Sequence, residues 1–317
     1  MIRLWTGLAV ALAIASAANA QGGAPHVAFT AIVEHPALDD VRKGAIEELA
    51  RRGFKDKTVR TTFDSAQGQP ANAAQIASKL VGQKPAVMVG ISTPSAQALL
   101  AATKDLPIVF SAVTDPVAAK LVKDPAKPGG NITGVTDMAP VAEQLVLAKQ
   151  LLPSLKRLGV IYNPGEANSI ALVSVLKRAA KEAGLELTES AANRTADLSA
   201  AAERLVGKVD AIYLPTDNVV ASGLEGVIAI TRQRRVPTIG DAGYVARGVL
   251  VGSGFNYHEL GTITGGMIAD ILEGRKPGDI PVASSTNLDV SVNLGEARRI
   301  GFEIPQAVLS RAKTKVE

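Results

Sequence analysis

The chain has 317 residues, with 34 basic and 30 acidic side chains, three histidines and no cysteine. The charge balance is mild and no tract of Lys and Arg alternates with aromatic residues, which argues against a nucleic-acid partner. The absence of cysteine excludes disulfides, thiolate metal sites and a cysteine-linked lipid anchor. With so few metal ligands we expect no metal and no other cofactor.

The N-terminus has the pattern of a secretory signal peptide. Arg3 precedes an apolar run over residues 4–18, and Ala18-Asn19-Ala20 gives the small residues that a signal peptidase requires. The alternatives are a buried helix or a membrane anchor, but the apolar run is short and rich in alanine, which inserts weakly into a bilayer. We therefore expect residues 1–20 to be removed by cleavage after Ala20 and the mature protein to reside in the periplasm. No later segment is long and apolar enough to span a membrane, so a soluble mature protein is expected.

From residue 26 onward, short β-branched runs alternate with amphipathic stretches of helical spacing. The predicted strands are Val27–Val33, Val59–Phe63, Ala86–Gly90, Ile108–Ala112, Ile132–Val135, Arg157–Tyr162, Glu186–Ser190, Ala211–Leu214, Thr238–Ile239 and Val249–Gly252. The predicted helices are Leu38–Arg52, Ala71–Val81, Ser95–Ala102, Val141–Leu151, Asn168–Ala183, Leu198–Val206, Val219–Arg234 and Leu260–Glu273. Such alternation is typical of α/β proteins whose parallel sheets are covered by helices on both faces.

The length suits two sheets better than one, which predicts two Rossmann-like lobes. A break between them fits residues 137–140, where a strand ends and Pro140 precedes a new helix. Open α/β sheets bind ligands at the carboxyl ends of their strands. A ligand cleft is therefore expected where those ends of the two lobes face each other.

Polar turns follow four of the predicted strands, two in each half of the chain. In the first half they contain Ser92, Thr93 and Pro94, and then Thr114 and Asp115, with Thr93 and Asp115 as the expected helix caps. The free N–H groups of such helix starts attract a carboxylate or another anion.

The corresponding turns of the second half contain Asn168 and Ser169, and then Asp217 and Asn218. Each of these polar residues can equally be a helix cap turned onto the backbone, but their matching positions in two halves favour ligand contact. Asp217 is the expected partner of a ligand ammonium group. His35, after the first strand, is a further candidate that is more commonly structural.

The motifs of several enzyme classes are missing. There is no phosphate-binding loop, no nucleophile elbow and no second histidine at zinc spacing after His258. The Gly252-Ser253-Gly254 segment lacks the third glycine of a dinucleotide fingerprint. An exported hydrolase that uses Asp115, Glu166 and Asp217 is the remaining enzyme hypothesis, and it is disfavoured.

From His26 to about Ala312 the chain resembles the ABC transporter substrate-binding proteins of the tryptophan/tyrosine type. The stretches that carry this resemblance are residues 34–39, 90–99, 112–119, 127–135, 166–169, 209–213 and 215–218. Many relatives carry Gln at the end of the first strand, where this chain has Ala31. The resemblance therefore predicts the family but does not identify the ligand of this chain. The plausible stacking partners for an aromatic ligand are Phe29, Phe110, Phe255, Tyr162 and Tyr244.

The resemblance implies the type I periplasmic-binding-protein fold. It places residues 26–137 and 255–284 in lobe 1 and residues 138–254 and 285–317 in lobe 2. It also implies that a small polar ligand is held between the lobes, and the ligand class of the family is amino acids, aromatic ones among them. The candidate ligand-binding residues are Ser92, Thr93, Thr114, Asp115, Asn168, Ser169, Asp217 and Asn218.

The sequence thus predicts a binding protein without catalysis that closes around its ligand and delivers it to an ABC permease of the inner membrane. An exported sensor that presents its bound form to a membrane receptor is the alternative. A cytosolic repressor of similar architecture would need an N-terminal DNA-binding motif, and the predicted signal peptide occupies that place.

Overall fold

The computed structural model describes residues 23–55 and 58–317. The predicted signal peptide and its cleavage site after Ala20 lie outside the described residues. None of the helices within those ranges is long and apolar enough to cross a membrane.

Strands and helices alternate along most of the chain, as the sequence predicts. The strands are β1 His26–Ala31, β2 Arg60–Ser65, β3 Val87–Ile91, β4 Ile108–Val113, β5 Ile132–Thr136, β6 Arg157–Tyr162, β7 Glu186–Ala191, β8 Ala211–Leu214, β9 Thr238–Gly240, β10 Val251–Phe255, β11 Ala283–Ser284, β12 Leu288–Asn293 and β13 Thr314–Val316. The helices are α1 Pro36–Arg51, α2 Pro70–Gln83, α3 Thr93–Ala102, α4 Val141–Leu151, α5 Ala167–Glu182, α6 Leu198–Leu205, α7 Asn218–Ser222, α8 Leu224–Arg234, α9 Tyr257–Leu272, α10 Leu294–Ile300 and α11 Gln306–Leu309.

The strands form two separate sheets. The first has the order β11-β5-β4-β3-β1-β2 and the second β13-β12-β10-β9-β8-β6-β7. All neighbours in both sheets are parallel except β10 and β12, which are antiparallel. The predicted α/β class, with two mostly parallel sheets flanked by helices, is confirmed.

The chain passes between the two sheets three times. It leaves the first sheet after β5, returns to pack α9 against α1, and enters the second sheet again between β11 and β12. These passages are the three segments that connect the two sheets.

Both faces of the inner strands β1, β3 and β4 of the first sheet are buried, which explains why these strands are mostly apolar, whereas the edge strand β2 is more polar and more exposed. Along β1, Val27 and Phe29 pack on the side of α1 and α9, whereas Ala28 packs on the side of α2 and α3. The strands of the second sheet likewise divide their apolar residues between two clusters. This two-sided burial is the physical reason that the sequence shows continuous apolar runs instead of strict alternation.

Some predicted boundaries are wrong. The helix predicted over Val219–Arg234 is two helices, α7 and α8, interrupted at Gly223, whose position lies tightly against Leu198. The strand predicted over Val249–Gly252 begins and ends later, as β10, because the preceding residues belong to a short 3-10 helix over 242–247 and the turn after it. The sequence prediction also missed the strands β11 to β13, which are short or partly polar, and the short helices α10 and α11 between β12 and β13.

Candidate functional site

A cavity of about 350 Å³ lies between the two sheets, at the carboxyl ends of β3, β4 and β5 and opposite the start of α5 and α7. The residues that line it are His35, Ala37, Leu38, Ser92, Thr93, Ala112, Thr114, Asp137, Asn168, Thr216, Asp217, Asn218, Tyr244 and Tyr257. No Lys or Arg is among these described wall residues.

The backbone is strained at two adjacent points of this wall. Ser92 follows β3 with φ 79 and ψ 159, and Ala112 near the end of β4 has φ 52. Residues with a side chain rarely adopt positive φ, and such strain concentrates at binding sites, where the surrounding structure holds it in place. The unusual backbone of Ser92 and Ala112 makes this edge of the sheet a candidate site.

The start of α3 differs from the prediction that Thr93 is the cap. Ser92 holds the cap position, Thr93 is the first helical residue, and neither side chain accepts a hydrogen bond from the helix. The positive φ of Ser92 departs from the extended backbone of an ordinary cap and explains why its hydroxyl does not fold back. The hydroxyls and the free N–H groups of this helix start are consequently left for another partner.

Buried polar atoms without a hydrogen-bond partner concentrate at the cavity. On its wall they are His35 Nδ1, Ser92 Oγ, Thr93 Oγ1, Asn168 Oδ1 and Thr216 Oγ1, and Ser95 Oγ lies in the same first turn of α3. Leaving a buried donor or acceptor unpaired costs about 1–3 kcal/mol each, and native structures rarely tolerate several together. Such a cluster of unpartnered polar atoms is typical of a site that binds a polar ligand.

Asp217 lies on the wall but its carboxylate is already occupied. Its Oδ2 accepts hydrogen bonds from the Asn163 N–H at 2.7 Å and from the Ser169 hydroxyl at 2.6 Å, and its Oδ1 accepts one from the Val220 N–H at 2.9 Å. Burial raises the pKa of this carboxyl above its usual value, against the effect of these hydrogen bonds. Asp217 thus joins the starts of α5 and α7 within lobe 2.

Glu166 stands behind Asp217 and forms a second buried acid. Its oxygens accept hydrogen bonds from the side-chain amides of Asn163 at 3.1 Å and Asn218 at 2.5 Å. Burial and the charge of Asp217 together raise the pKa of Glu166 to about 7. The amide of Asn218 is therefore held by Glu166 while its residue lines the cavity.

Asp137 is the acid that sequence reasoning missed. It follows β5 and is buried on the wall, where its carboxylate accepts side-chain hydrogen bonds from two hydroxyls, that of Thr114 at 3.3 Å and that of Tyr257 at 3.0 Å. Burial raises the pKa of Asp137 to about 6. Its position after a strand, like that of the polar turns, was the available signal.

The structure brings six of the eight candidate residues to the cavity: Ser92, Thr93, Thr114, Asn168, Asp217 and Asn218. Ser169 is fully buried behind the wall and bonds Asp217. Asp115 is not on the wall, because its Oδ1 accepts from the N–H groups of Val117 and Ala118 and so caps a turn; the expected helix does not form there.

Histidine and aromatic side chains complete the wall. His35 lines it, and burial together with the charge of Arg247 lowers the pKa of His35 to about 4, so its ring is neutral. Of the aromatic residues singled out in the sequence, only Tyr244 reaches this wall, joined by Tyr257, whereas Phe29 and Phe110 are in the core of lobe 1.

Comparison with known proteins gives the family context of this site. The family model described as ABC transporter substrate binding protein matches residues 26–316. A tyrosine-binding protein of Clostridioides difficile is 39% identical over 270 residues, which are 84% of this chain and 78% of that protein. Solved sugar-binding proteins of much lower identity share the fold alone, which is that of type I periplasmic binding proteins.

Two solved structures of similar identity differ in how well they superpose. The ABC domain of a Streptococcus pneumoniae protein in complex with L-Trp is 37% identical, with a TM-score of 0.90 over 93% of this chain and 100% of that chain. A ligand-free, open substrate-binding protein of Clostridium difficile is 39% identical, with a TM-score of 0.70 over 92% of this chain and 100% of that chain.

Proposed function

Since this chain belongs to the family of ABC transporter substrate-binding proteins, we propose that it is the periplasmic solute-binding component of an ABC importer and that its ligand is an amino acid. The family and the structural relatives are binding proteins for small ligands and not enzymes. The observation that carries the amino-acid assignment is the cavity wall, which offers an anion site after β3 and a buried acid after β5, at the same edge of the first sheet.

The start of α3 is the proposed carboxylate site. The N–H groups of its first turn have no partner within the helix, and the hydroxyls of Ser92, Thr93 and Ser95 are unpartnered beside them. The helix dipole adds attraction for a negative group at this end. A carboxylate, which is an acceptor only, matches a site that consists of donors.

Asp137 is the proposed ammonium partner, in place of Asp217. Asp217 has accepted three hydrogen bonds from its own lobe, whereas Asp137 has two hydroxyl donors, one of them at 3.3 Å, and free acceptor capacity. A buried carboxylate without a cation is costly, and a ligand ammonium would provide one. The roles proposed for Thr114, Asn168 and Asn218 are further polar contacts to the same ligand.

The relatives favour an aromatic side chain on that amino acid. The printed ligands are tyrosine for one relative and L-Trp for another. In this chain Tyr244 and Tyr257 line the cavity, while Ala31 stands where many relatives have an amide at the first strand. We therefore propose an aromatic amino acid as the first ligand to test.

Closure of the lobes by a hinge is part of the proposal. At nearly equal identity, the structure superposes better on the L-Trp complex than on the open, ligand-free relative, which supports a closed arrangement of the two sheets. We propose lobe 1 as residues 26–137 and 255–284 and lobe 2 as residues 138–254 and 285–317. A ligand that binds the closed form better shifts the population towards it.

The proposed location and partner follow from the sequence and the family. Residues 1–20 would direct export and be cleaved after Ala20, and the closed protein would dock on an ABC permease of the inner membrane. The alternative is an exported sensor that presents its bound form to a membrane receptor. Ligand uptake by proteoliposomes that contain the permease and its ATPase, with and without this protein, distinguishes the two.

The ligand class is tested by thermal unfolding of the mature protein, refolded to remove bound ligand, with amino acids, sugars and nucleosides. A ligand at a hundred times its dissociation constant should add about 2.7 kcal/mol of stability. Calorimetric titration then compares the ligand affinity of Asp137→Asn with that of the unmodified protein. The variant loses a charge-assisted hydrogen bond of about 1.5–3 kcal/mol, so its affinity should be about tenfold to a hundredfold lower.

Asp124→Asn is the matched control, because Asp124 is exposed and only caps a surface turn through the Ala126 N–H. Its affinity should equal that of the unmodified protein. Stabilisation by sugars or nucleosides but by no amino acid would refute the proposed ligand class. Unchanged affinity in Asp137→Asn would refute the ammonium site.

A further inference from the structure

The second and third passages between the two sheets are short and run side by side. The second consists of Asn256, between β10 and α9, and the third of residues 285–287, between β11 and β12. The strands β10 and β12 are antiparallel partners, with Phe255 opposite Leu288, so the two passages lie next to each other. Because β11 belongs to the first sheet and β12 to the second, a rotation of one sheet relative to the other has to be absorbed in these few residues and in the first passage.

The side chain of Glu259 joins these two passages. Glu259 lies in the first turn of α9, where the Asn256 Oδ1 accepts hydrogen bonds from its N–H and from that of His258. Its Oε1 accepts hydrogen bonds from the Ser285 hydroxyl at 3.1 Å and from the Asn287 side-chain amide at 2.9 Å. The Ser285 Oγ in turn accepts one from the Asn287 N–H at 3.1 Å. Glu259, Ser285 and Asn287 therefore form a closed set of three hydrogen bonds, which we call the Glu259 latch.

The two ends of the Glu259 latch are held by different sheets. The helix α9, which contains Glu259, packs against α1 in the apolar core on one face of the first sheet. Asn287 directly precedes β12, which pairs with β10 and β13 in the second sheet. A rotation between the sheets thus changes the distance between Glu259 and Asn287 unless its axis passes through this pair. A displacement of about 1 Å along the bond of 2.9 Å is enough to exceed hydrogen-bond distance.

We propose that the Glu259 latch forms only when the two sheets close around the ligand, and that it contributes part of the ligand affinity. This inference rests on the proposed function and adds a source of affinity outside the ligand site. The three bonds are present in a structure that superposes better on the L-Trp complex than on the open relative. Glu259 is not among the residues that line the cavity. It is a positioning residue that stabilises the closed arrangement without touching the ligand.

A latch that forms only on closure has a kinetic signature. Its removal destabilises the closed, ligand-bound form, so the ligand dissociates faster. The association rate stays unchanged, because the ligand enters the open form, in which the three bonds are absent. The stability of the empty protein is independent of the latch for the same reason. A contact that is present in both forms has the opposite signature, since its loss lowers the stability of the empty protein and leaves the affinity unchanged.

The test is Glu259→Ala in the mature protein, with L-tyrosine or L-tryptophan as the ligand. Calorimetric titration gives the affinity, stopped-flow fluorescence gives the association and dissociation rates, and thermal unfolding gives the stability of the empty protein. The variant loses two partly exposed hydrogen bonds to a carboxylate, so its affinity should be about fivefold to fiftyfold lower than that of the unmodified protein. We expect the dissociation rate to account for this loss.

Glu259→Gln is the matched variant. It removes the charge from the helix start, as Glu259→Ala does, but it retains a side-chain oxygen that can accept from both donors. The Gln variant should therefore bind the ligand at least about threefold more tightly than the Ala variant. The two variants should have equal melting temperatures when empty, because neither forms the latch in the open arrangement.

Two further variants separate the latch from other effects. Asn287→Ala removes one donor from the exposed side of the latch without altering α9, and it should lower the affinity about twofold to tenfold. Combined with Glu259→Ala it should add little, because both changes remove the same bond. Glu47→Ala is the control, since the Glu47 Oε2 pairs with the His258 Nε2 at 2.8 Å in the same turn of α9, but both residues belong to helices on the first sheet. Its affinity should equal that of the unmodified protein.

Equal affinity of Glu259→Ala and Glu259→Gln would overturn this inference and leave the proposed function intact. An empty Glu259→Ala protein that melts below empty Glu259→Gln would overturn it too, because the bonds would then exist in the open form. A loss of affinity that lies in the association rate, or that Glu47→Ala reproduces, would contradict it as well. If no amino acid binds the unmodified protein, the proposed function and this inference are overturned together.

Discussion

The strained backbone of Ser92 predicts opposite effects of one substitution on stability and on ligand affinity. The φ of 79 and ψ of 159 lie in a region that is nearly exclusive to glycine, and a side chain held there costs about 1–3 kcal/mol. Replacement by Gly removes this strain but adds freedom to the unfolded chain, which costs about 0.5–1 kcal/mol. We expect Ser92→Gly to increase the free energy of unfolding of the empty protein by about 1 kcal/mol.

The matched variant is Ser92→Ala, which removes the same unpartnered hydroxyl but retains the Cβ and therefore the strain. The difference between the Gly and Ala variants isolates the backbone contribution from that of the hydroxyl. Both variants lose one hydrogen bond to the ligand, so both should bind it about two- to tenfold more weakly.

The assay is denaturant unfolding of the ligand-free mature protein, followed by calorimetric titration with the ligand. A Ser92→Gly variant that is no more stable than Ser92→Ala would refute the strain argument. Full affinity in both variants would show that the hydroxyl faces the cavity without bonding the ligand.

Two further predictions concern the buried acids. Asp217→Ala should lower the free energy of unfolding by about 2–4 kcal/mol, because it leaves the N–H groups of Asn163 and Val220 buried without an acceptor. Denaturant unfolding checks this against Asp217→Asn, which retains one cap oxygen and should lose less. The second prediction is that the contribution of Asp241, which is buried after β9, to the free energy of unfolding of the empty protein decreases as the pH rises from about 4 to about 7. The pKa of Asp241 is raised in the folded state to about 7, so its contribution is present at low pH and is lost as the carboxyl ionises. The slope of melting temperature against pH should be flatter in Asp241→Asn, and an identical slope would contradict the assignment.

Much of the site was accessible from the sequence because it is built from local signals. Each polar turn is read from residues next to one another, as in Ser92-Thr93-Pro94 after a buried strand. Parallel sheets bring the carboxyl ends of their strands to one edge, so turns that are far apart in the chain meet there. This rule predicts that Thr114, Asn168 and Asp217 meet at one site, and all three line the cavity.

The sequence could not tell which acid is free. Asp217 and Asp137 both follow strands, but the three donors that occupy Asp217 come from Asn163, Ser169 and Val220, and the first two are about fifty residues away in the chain. Hydrogen-bond saturation is a property of the packed structure and leaves no local pattern. For the same reason Asp115 was indistinguishable from a ligand-binding residue, although its carboxylate caps a turn.

The alternation of strands and helices by itself determined the α/β class, because strands that are buried on both faces of a sheet have continuous apolar sequences. Only the tertiary structure decided the surroundings of Asp137, since the two hydroxyls that reach its carboxylate belong to Thr114 and Tyr257, which lie in two other segments of the chain. Tyr257 is more than one hundred residues away along the chain and is brought to Asp137 by the packing of the elements around the cavity. No single segment of the sequence determines that environment.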